Sequence, residues 1–212
     1  MIPMRKEKIS TAVIRRLPRY YRHLDDLYRN GTIRISSSAL AASMGLTASQ
    51  IRQDLSCFGE FGQQGYGYNI ERLRAEVADI LGMNEQHTAI ILGAGNLGRA
   101  LLENFQFRFY GFRLLAAFDI EPTVVGTRLG GIPVYHIDVL ENYIAEHDVS
   151  VAVLTVPASV ASDTAQRLVD GGVKGIWNFT NVELPIEDTS VKIENVHFAD
   201  SLLTLSYMIS EE

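Results

Sequence analysis

A glycine-rich turn in the middle of the chain constrains the fold more than any other feature of the sequence. An apolar run over 88–92 leads directly into Gly93-Ala-Gly95-Asn-Leu-Gly98, and a helical pattern follows over 99–107. The spacing G-x-G-x-x-G is weak evidence alone but strong evidence between a strand and a helix. Gly93 permits the tight turn, Gly95 lets the backbone approach a pyrophosphate, and Gly98 lets the helix pack on the strand. The motif predicts a dinucleotide-binding Rossmann domain.

A carboxylate stands where such a domain needs one. Residues 112–118 form a second predicted strand that ends in Asp119, 21 residues beyond Gly98. At that distance an acidic side chain accepts hydrogen bonds from the hydroxyls of the adenosine ribose. Because its charge would repel a 2′-phosphate, Asp119 favours NAD(H) over NADP(H) as the cofactor.

The rest of this half keeps the alternation of a doubly wound parallel sheet. Such sheets bind ligands beyond the carboxyl ends of their strands, which indicates Thr155-Val156-Pro157 and Asn178-Phe179 as the nicotinamide side of the cleft. A Rossmann-like domain that has lost its ligand is the alternative. We expect strands over 132–135, 149–156 and 175–179, and helices over 139–146 and 159–170. The predicted cofactor contacts are Gly93, Ala94, Gly95, Asn96, Leu97, Gly98, Asp119, Ile120, Thr155, Val156, Pro157, Asn178 and Phe179.

Charge divides the chain in a way that its net charge of −6 conceals. Residues 1–53 carry 10 basic and three acidic side chains, whereas residues 86–212 carry seven basic and 16 acidic ones. This asymmetry favours an anionic partner for the amino-terminal segment alone. Chance variation in surface charge is the alternative.

The basic segment carries a helix-turn-helix pattern. Apolar residues recur at helical spacing over 14–27, where Pro18 indicates either a start near Leu17 or a kink. A short helix over 39–44 and a third helix capped by Thr47 are expected around a turn at Gly45.

The third helix presents a polar face once Ile51 and Leu55 are buried. Arginine pairs with guanine O6/N7 and glutamine with adenine N6/N7 in the major groove. A solvated surface helix in a small helical domain is the alternative. The side chains predicted to read DNA are Ser49, Gln50, Arg52, Gln53 and Ser56.

Residues 58–68 contain four glycines with aromatic residues between them, which is typical of a tight β-hairpin such as the wing of a winged helix. Hairpin backbone can enter a groove of DNA. We expect Phe58 and Phe61 to cover the core instead. Asn69 is expected to cap a helix over 70–81, and a linker follows over 82–87.

No catalytic set accompanies the predicted cofactor site, so the sequence argues against an enzyme. A dehydrogenase needs a proton relay, yet after Ala158 only one complete βα unit, a short segment and a terminal helix are expected. The histidines show no metal-ligand spacing, so no metal site is predicted. They are His23, His87, His136, His147 and His197.

The single cysteine, Cys57, excludes an intrachain disulfide, and the apolar runs are too short to span a bilayer. We therefore expect a cytoplasmic protein with no membrane partner. The last predicted helix, over 199–209, carries apolar residues around most of its circumference. We expect one Rossmann domain to leave part of such a helix uncovered, so a partner subunit is expected.

Several segments carry a family resemblance: Ser49-Gln-Ile-Arg-Gln-Asp-Leu-Ser56, Phe58-Gly-Glu-Phe-Gly62, Gly65-Tyr-Gly-Tyr68, Gly93 to Gly98, Leu154-Thr-Val-Pro157 and Gly171-Gly-Val-Lys-Gly-Ile176. They resemble the bacterial Rex family of redox-sensing transcriptional repressors, and the match covers nearly the whole chain. The resemblance implies a homodimer whose winged-helix domains hold double-stranded operator DNA and whose Rossmann domains sense the NADH/NAD ratio. It also implies carboxyl-terminal helices that exchange between subunits, and release of the DNA by NADH.

By the same resemblance, Arg52 and Gln53 fall at recognition-helix positions, and Phe198 falls at an aromatic position beside the cofactor on the exchanged helix. The wing tip corresponds to Gln63, Gln64 and Gly65.

The chain departs from the family pattern on its DNA-binding side. Family members usually carry a lysine at the position of Gln53, a tyrosine at Cys57 and a basic residue near Gln64. Fewer charges are therefore available for phosphate contacts, and we expect a shallower salt dependence of DNA binding.

Two further departures fall at positions that the resemblance assigns to switching between domains. The family's tyrosine beyond the glycine loop is Asn104 here. The family's acid that pairs with an arginine matching Arg22 is His197 here, so the usual ion pair cannot form. A pH-sensitive substitute and a solvated side chain both remain open for His197.

The sequence thus predicts an α/β protein with a winged helix-turn-helix domain over 1–85, a Rossmann NAD(H)-binding domain over 86–196 and a dimerisation helix over 197–212. The helix-turn-helix region spans about 17–57 and the wing 58–68. The predicted function is NADH-released repression. The rival hypotheses are an NAD-dependent oxidoreductase with a helical amino-terminal appendage, and a DNA-binding dimer whose Rossmann domain is only structural.

Overall fold

The computed structural model describes residues 9–59, 61–63 and 66–210. The chain divides into two compact units, one ending at Asn84 and the other beginning at Glu85. Gln64 and Gly65, which the sequence places at the wing tip, lie outside the described residues.

The first unit packs helices and a three-stranded antiparallel sheet, ordered β1-β3-β2, around one apolar core. The predicted winged helix-turn-helix architecture is confirmed, and β2 and β3 form the wing. The elements are α1 (Thr11–Arg29), β1 (Arg34–Ile35), α2 (Ser37–Met44), α3 (Ala48–Ser56), β2 (Gly62–Gln63), β3 (Gly67–Asn69) and α4 (Ile70–Ile80).

Side-chain caps set where three of these helices begin. Ser36, Thr47 and Asn69 precede α2, α3 and α4, and each accepts a hydrogen bond from the backbone N–H three residues further on. Gly45 ends α2 with a φ of +66°, a left-handed conformation that glycine adopts at little cost. Local side-chain caps and the left-handed glycine therefore determine the turn of the helix-turn-helix.

The helix α1 runs through Pro18, so the alternative of a start near Leu17 is wrong. Ser10 caps the helix, and Val13 and Leu17 are buried on the same face as Tyr20. Pro18 lacks a backbone donor, but it is exposed, so its ring disturbs no packing. Burial of the turn before Pro18 outweighs the lost hydrogen bond.

The second unit is a doubly wound sheet of seven strands, ordered β10-β9-β8-β4-β5-β7-β6. The predicted Rossmann fold is confirmed. Its elements are β4 (His87–Leu92), α5 (Asn96–Asn104), β5 (Phe112–Asp119), β6 (Arg128–Leu129), β7 (Ile132–His136), α6 (Leu140–Glu146), β8 (Val151–Leu154), α7 (Ala158–Asp170), β9 (Gly175–Asn178), β10 (Lys192–Asn195) and α8 (Phe198–Ser210).

The order of the strands reverses at β4. From β4 the chain adds β5 and β7 on one side and then returns to add β8, β9 and β10 on the other, with parallel pairing throughout. The edge strand β6 pairs with β7 in the antiparallel sense. The carboxyl ends of β4 and β8 therefore border the crevice in which such sheets bind ligands.

Four elements of this unit differ from the sequence expectations, among them the antiparallel edge strand β6, which was not predicted. The helix α5 begins at Asn96 rather than at 99, and it ends before a single 3₁₀ turn at Phe107–Tyr110. The strand β8 is shorter than the apolar run that predicted it. The strand β10 was not predicted, because its four residues alternate between exposed and half-buried positions at the edge of the sheet.

The helix α8 is exposed along its whole length in the isolated chain. Between about half and two-thirds of each large apolar side chain on it is accessible to solvent. These side chains are Phe198, Leu202, Leu203, Leu205, Tyr207, Met208 and Ile209.

Candidate functional site

The glycine loop joins β4 to α5 at the point where the strand order reverses. Gly93 has a φ of +93°, and a Cβ there would lie 2.9 Å from the backbone of Thr155. A Cβ on Gly98 would lie 1.8 Å from the carbonyl oxygen of Gly93. Neither position has room for a side chain, so the fold itself requires both glycines.

The fold does not require a glycine at position 95. A Cβ at this position would meet no described atom within 4 Å, and its φ of −67° suits any residue. A glycine that the fold does not need indicates that a ligand approaches the backbone there. No side-chain hydrogen bond caps α5 after Gly95, which leaves the amino end of the helix able to bind an anion. A pyrophosphate fits this arrangement.

The carboxylate of Asp119 ties this loop to the end of β5. Its Oδ2 accepts a hydrogen bond from the N–H of Ala94, the second residue of the loop. Its Oδ1 accepts from the N–H groups of Ile120 and Glu121, at 2.7 and 2.9 Å. A carboxylate has about four acceptor positions, so Asp119 can still accept a ribose hydroxyl while it holds the loop.

Thr155 follows β8 and lies against the end of β4, where the crevice begins. Its hydroxyl lies within hydrogen-bond distance of the carbonyl oxygens of Leu92 and Gly93, at 2.9 and 2.8 Å. Its N–H donates to the Leu92 carbonyl as well, at 2.9 Å. The side chains of Val156 and Pro157 follow, the first half-buried and the second exposed at the start of α7. Of these predicted residues, Thr155 joins β4 to β8 directly.

The side chain of Asn178 is fully engaged in hydrogen bonds at the end of β9. Its buried Nδ2 donates to the carbonyl of Val182 and to Oδ1 of Asn195, both at 2.8 Å. Its Oδ1 accepts from the N–H and the hydroxyl of Thr180, at 3.0 and 2.7 Å. Both donor hydrogens of the amide are thus used within the chain. The Asn178 side chain therefore holds the loop after β9, and a cofactor contact at this residue stays a prediction.

Phe179 belongs to an aromatic cluster beyond the carboxyl end of β9. It packs edge-on against Trp177, with ring centroids 4.6 Å apart, and its centroid lies 6.0 Å from that of Phe198. Phe198 is 56% exposed at the start of α8. The placement of Phe198 beside a cofactor on an exchanged helix stays a prediction.

In the first unit, α3 presents the polar face that the sequence predicts. Four of its side chains are exposed and Gln50 is half-buried. The guanidinium of Arg52 donates to the hydroxyl of Ser37 on α2, at 3.0 Å, so it is held toward the amino end of that helix. The exposed members are Ser49, Arg52, Gln53 and Ser56.

The wing follows α3 and packs back on the core. Phe58 and Phe61 are half-buried against the core cluster, which confirms that they cover it. Gln63 pairs with Gly67 in the ladder of β2 and β3. A Cβ on Gly67, whose φ is +68°, would lie 2.4 Å from the carbonyl oxygen of Ile35. Only glycine lets β3 approach β1 this closely.

A buried ionic network, absent from the sequence predictions, fixes α3 to α1. The guanidinium of Arg16 binds both carboxylate oxygens of Asp54, at 2.6 and 2.8 Å. The hydroxyl of Tyr20 donates to Oδ2 of Asp54 at 2.5 Å, and the amide of Gln50 donates to Oδ1 at 3.2 Å. Asp54 is 1% exposed and Tyr20 is equally buried.

The network keeps Asp54 ionised. Burial alone would raise the pKa of Asp54, but the hydrogen bonds from Arg16, Tyr20 and Gln50 outweigh burial and hold that pKa below its ordinary value. Burial and the bond to Asp54 together raise the pKa of Tyr20, so its phenol stays a donor. The sequence did contain a signal: Asp54 lies three residues after Ile51, on the apolar side of α3 rather than on its polar face.

The three residues that resemblance assigns to switching lie on different elements. Arg22 is exposed on α1 of the first unit. Asn104 ends α5 and donates to the carbonyl of Ala100 at 3.1 Å, while the Nε2 of His197 lies 3.6 Å from the carboxylate of Glu183. A role for them in communication between the units stays a prediction.

Within residues 9–59, 61–63 and 66–210, no helix has the length and apolar character needed to cross a bilayer. The same ranges hold no group of three or more histidine, cysteine, aspartate or glutamate side chains that could ligate a metal ion.

Two protein-family models match the chain. A model for the amino terminus of putative DNA-binding proteins matches residues 8–56, and a model for a CoA-binding domain matches residues 84–182. The first match covers the helix-turn-helix region, and the second covers the glycine loop and most of the sheet.

Curated relatives and solved structures resemble the whole chain. Redox-sensing transcriptional repressor Rex of Clostridium tetani is 48% identical over 98% of this chain and 98% of its own. The repressor Rex of Caldicellulosiruptor saccharolyticus is also 48% identical, over 98% of this chain and 94% of its own. A crystal structure of RSP with β-NAD+ and operator DNA has a TM-score of 0.90 and 47% identity over 97% of this chain and 94% of that one. A structure of RSP with β-NADH gives a TM-score of 0.90 and 44% identity over 97% and 96%.

Proposed function

The chain belongs to the Rex family of redox-sensing transcriptional repressors, and from this premise we propose how its two units work. The first unit binds operator DNA through α3. The second unit binds NAD(H) at the glycine loop, and occupation by NADH releases the DNA. The relatives are named as repressors, so the chain is a regulator and not an enzyme.

The observation that carries the cofactor assignment is the free space at Gly95, next to a carboxylate that still has acceptor capacity. The loop backbone and the amino end of α5 would hold the pyrophosphate, and Asp119 would hold the adenosine ribose. The charge of Asp119 disfavours a 2′-phosphate, which supports NAD(H) over NADP(H). NADH and NAD differ in the redox state of the nicotinamide ring. The pocket of this chain would distinguish these two forms.

On the DNA side, α3 would lie in the major groove with Arg52 and Gln53 toward the bases. Ser49, Gln50 and Ser56 flank them on the same helix, and the wing of β2 and β3 would contact the adjacent groove. The basic residues of the amino-terminal segment support binding to the phosphate backbone. Residues 1–85, 86–196 and 197–212 would thus serve DNA binding, cofactor binding and dimerisation in turn.

The apolar surface of α8 supports a homodimer. A second apolar surface in the same unit is a cavity of about 430 Å³ at the amino ends of the strands, away from the glycine loop, lined in part by Phe105, Val151, Trp177 and Ile193. A second copy of the chain would cover such surfaces, because water-exposed apolar area of this extent is costly. A repressor dimer acting on a bacterial chromosome would work in the cytoplasm.

The proposed switch is an equilibrium between two arrangements of the dimer. NADH prefers the arrangement that misplaces the α3 pair, whereas NAD tolerates the arrangement that binds DNA. A ligand moves such an equilibrium only through its differential affinity for the two states. A 100-fold difference in affinity corresponds to about 2.7 kcal/mol per site.

The test measures DNA affinity in each cofactor state. A duplex that the protein selects from a random pool is titrated at fixed salt with protein alone, with NAD and with NADH. We expect NADH to weaken binding by at least about tenfold relative to NAD. Equal affinities in all three states would contradict the switch and leave a DNA-binding protein whose Rossmann unit is structural.

A further inference from the structure

We propose that Asp54 is a positioning residue for DNA recognition, which locks the rotation of α3 against α1 and orients the amide of Gln50. The proposal rests on the proposed function of α3 as the recognition helix. Asp54 contacts no DNA in this scheme, because it is buried on the side of α3 that faces the core.

The geometry of the Arg16–Asp54 pair restrains α3 more than apolar packing does. A guanidinium and a carboxylate that share two parallel hydrogen bonds fix both distance and direction. Apolar contacts such as those of Ile51 and Leu55 tolerate small rotations, whereas a bidentate pair with a third bond from Tyr20 does not. A rotation of α3 by a few degrees would move Arg52 and Gln53 relative to the bases.

Asp54 also determines which way round the amide of Gln50 points. An ionised carboxylate only accepts hydrogen bonds, so it holds the Nε2 of Gln50 toward itself. The Gln50 carbonyl oxygen and the second N–H then remain available to an outside partner. Bidentate recognition of adenine needs one acceptor and one donor of this kind. An asparagine at position 54 could accept or donate, so it would leave the amide of Gln50 free to turn over.

The first unit offers a matched control that leaves α3 untouched. Asp25 on α1 is also buried, and it binds Arg74 of α4 at 2.9 Å and Arg29 at 2.8 Å. Asp25→Asn therefore removes a comparable ionic contact from the same unit without altering the anchor of α3. We expect both Asp25→Asn and Asp54→Asn to lower stability, but only Asp54→Asn to disturb DNA recognition.

The experiment compares Asp54→Asn, Asp25→Asn and the unaltered full-length protein. Each protein is titrated with two duplexes: the one that the unaltered protein selects, and one of scrambled sequence. The titrations are done without NADH and well below the melting temperature of each protein. The ratio of the two affinities measures specificity, and far-UV circular dichroism reports folding of the protein used. Tyr20→Phe, which removes one bond and leaves the charges paired, serves as a second variant in case Asp54→Asn does not fold.

We expect Asp54→Asn to lower the specificity ratio by about tenfold, Tyr20→Phe to lower it by about threefold, and Asp25→Asn to leave it within about twofold. Affinity for the scrambled duplex should stay unchanged in all of them, because phosphate contacts dominate it. An unchanged ratio in folded Asp54→Asn or Tyr20→Phe, or an equal loss in Asp25→Asn, would overturn the proposal. If the unaltered protein selects no duplex, the proposed function fails instead.

Discussion

At the scale of single residues, the glycine loop separates what folding requires from what cofactor binding requires. Gly98 sits where a single methyl group would collide with the carbonyl oxygen of Gly93. Gly95 sits three residues earlier beside empty space. The two positions look equivalent in the motif, yet only one of them is needed by the fold.

This difference predicts opposite outcomes for two alanine variants. Gly95→Ala should leave the melting temperature unchanged within about 2 °C and weaken NADH binding by about tenfold or more, because its methyl group occupies the space of the pyrophosphate. Gly98→Ala should lower the melting temperature by several degrees, because the loop and α5 must separate. Calorimetric titration with NADH and thermal denaturation measure both effects. A stability loss in Gly95→Ala as large as that in Gly98→Ala would show that the space is not free.

At the scale of secondary-structure elements, the contact between α1 and α3 makes the first unit sensitive to acid. The folded-state pKa of Asp54 lies below its unfolded value of about 3.9. The contribution of this carboxylate to stability is therefore complete above the unfolded pKa and is lost as the pH falls through the folded pKa.

Asp54→Asn should accordingly lower the free energy of unfolding by about 2 kcal/mol above pH 5, and by progressively less below about pH 4. Far-UV circular dichroism follows both units during denaturation, whereas fluorescence of Trp177, the single tryptophan, follows the second unit alone. The loss of stability should appear in the circular dichroism signal and not in the fluorescence of Trp177. A difference between variant and unaltered protein that is constant from pH 7 to pH 3 would contradict the assignment.

The elements also show how far local sequence reasoning reaches. Local patterns in the sequence predicted the caps at Thr47 and Asn69, the turn at Gly45 and the strand–loop–helix around Gly95. The path of α1 through Pro18 depends on burial that the local pattern does not reveal. Asp54 was missed for the same reason, since its partners on α1 are more than 30 residues away. Non-local pairing is the part that one sequence leaves open.

At the scale of the whole molecule, α8 predicts that the protein is a dimer whose stability depends on apolar contacts. Leu203→Glu places a charge on a helix that a second copy would cover, so it should raise the dimer dissociation constant by about 100-fold or more. Val160→Glu is the matched control, because Val160 is an exposed apolar residue on α7. Sedimentation over a range of concentrations measures the change. A dimer equally stable in both variants would place the interface elsewhere.

The distribution of charge predicts how binding to DNA responds to salt. Gln53 is exposed on α3, and by the family resemblance it stands where a lysine is usual, so we expect each subunit to have one fewer positive charge for phosphate contacts. Gln53→Lys should steepen the slope of log affinity against log salt by about one per subunit. Asn142→Lys, on an exposed position of α6, should leave the slope unchanged. Filter binding between about 50 and 200 mM salt measures these slopes. Identical slopes for Gln53→Lys and the unaltered protein would show that a lysine at position 53 does not reach a phosphate.

The apolar side chains around α8 also affect how the amount of functional protein in a cell depends on its expression level. A chain without a partner displays a row of leucine and aromatic side chains, the kind of surface that chaperones bind and quality-control proteases degrade. Newly made chains would therefore survive only where their concentration lets them pair. Repression would then have a threshold in gene dosage: halving expression near that threshold would remove more than half of the functional repressor.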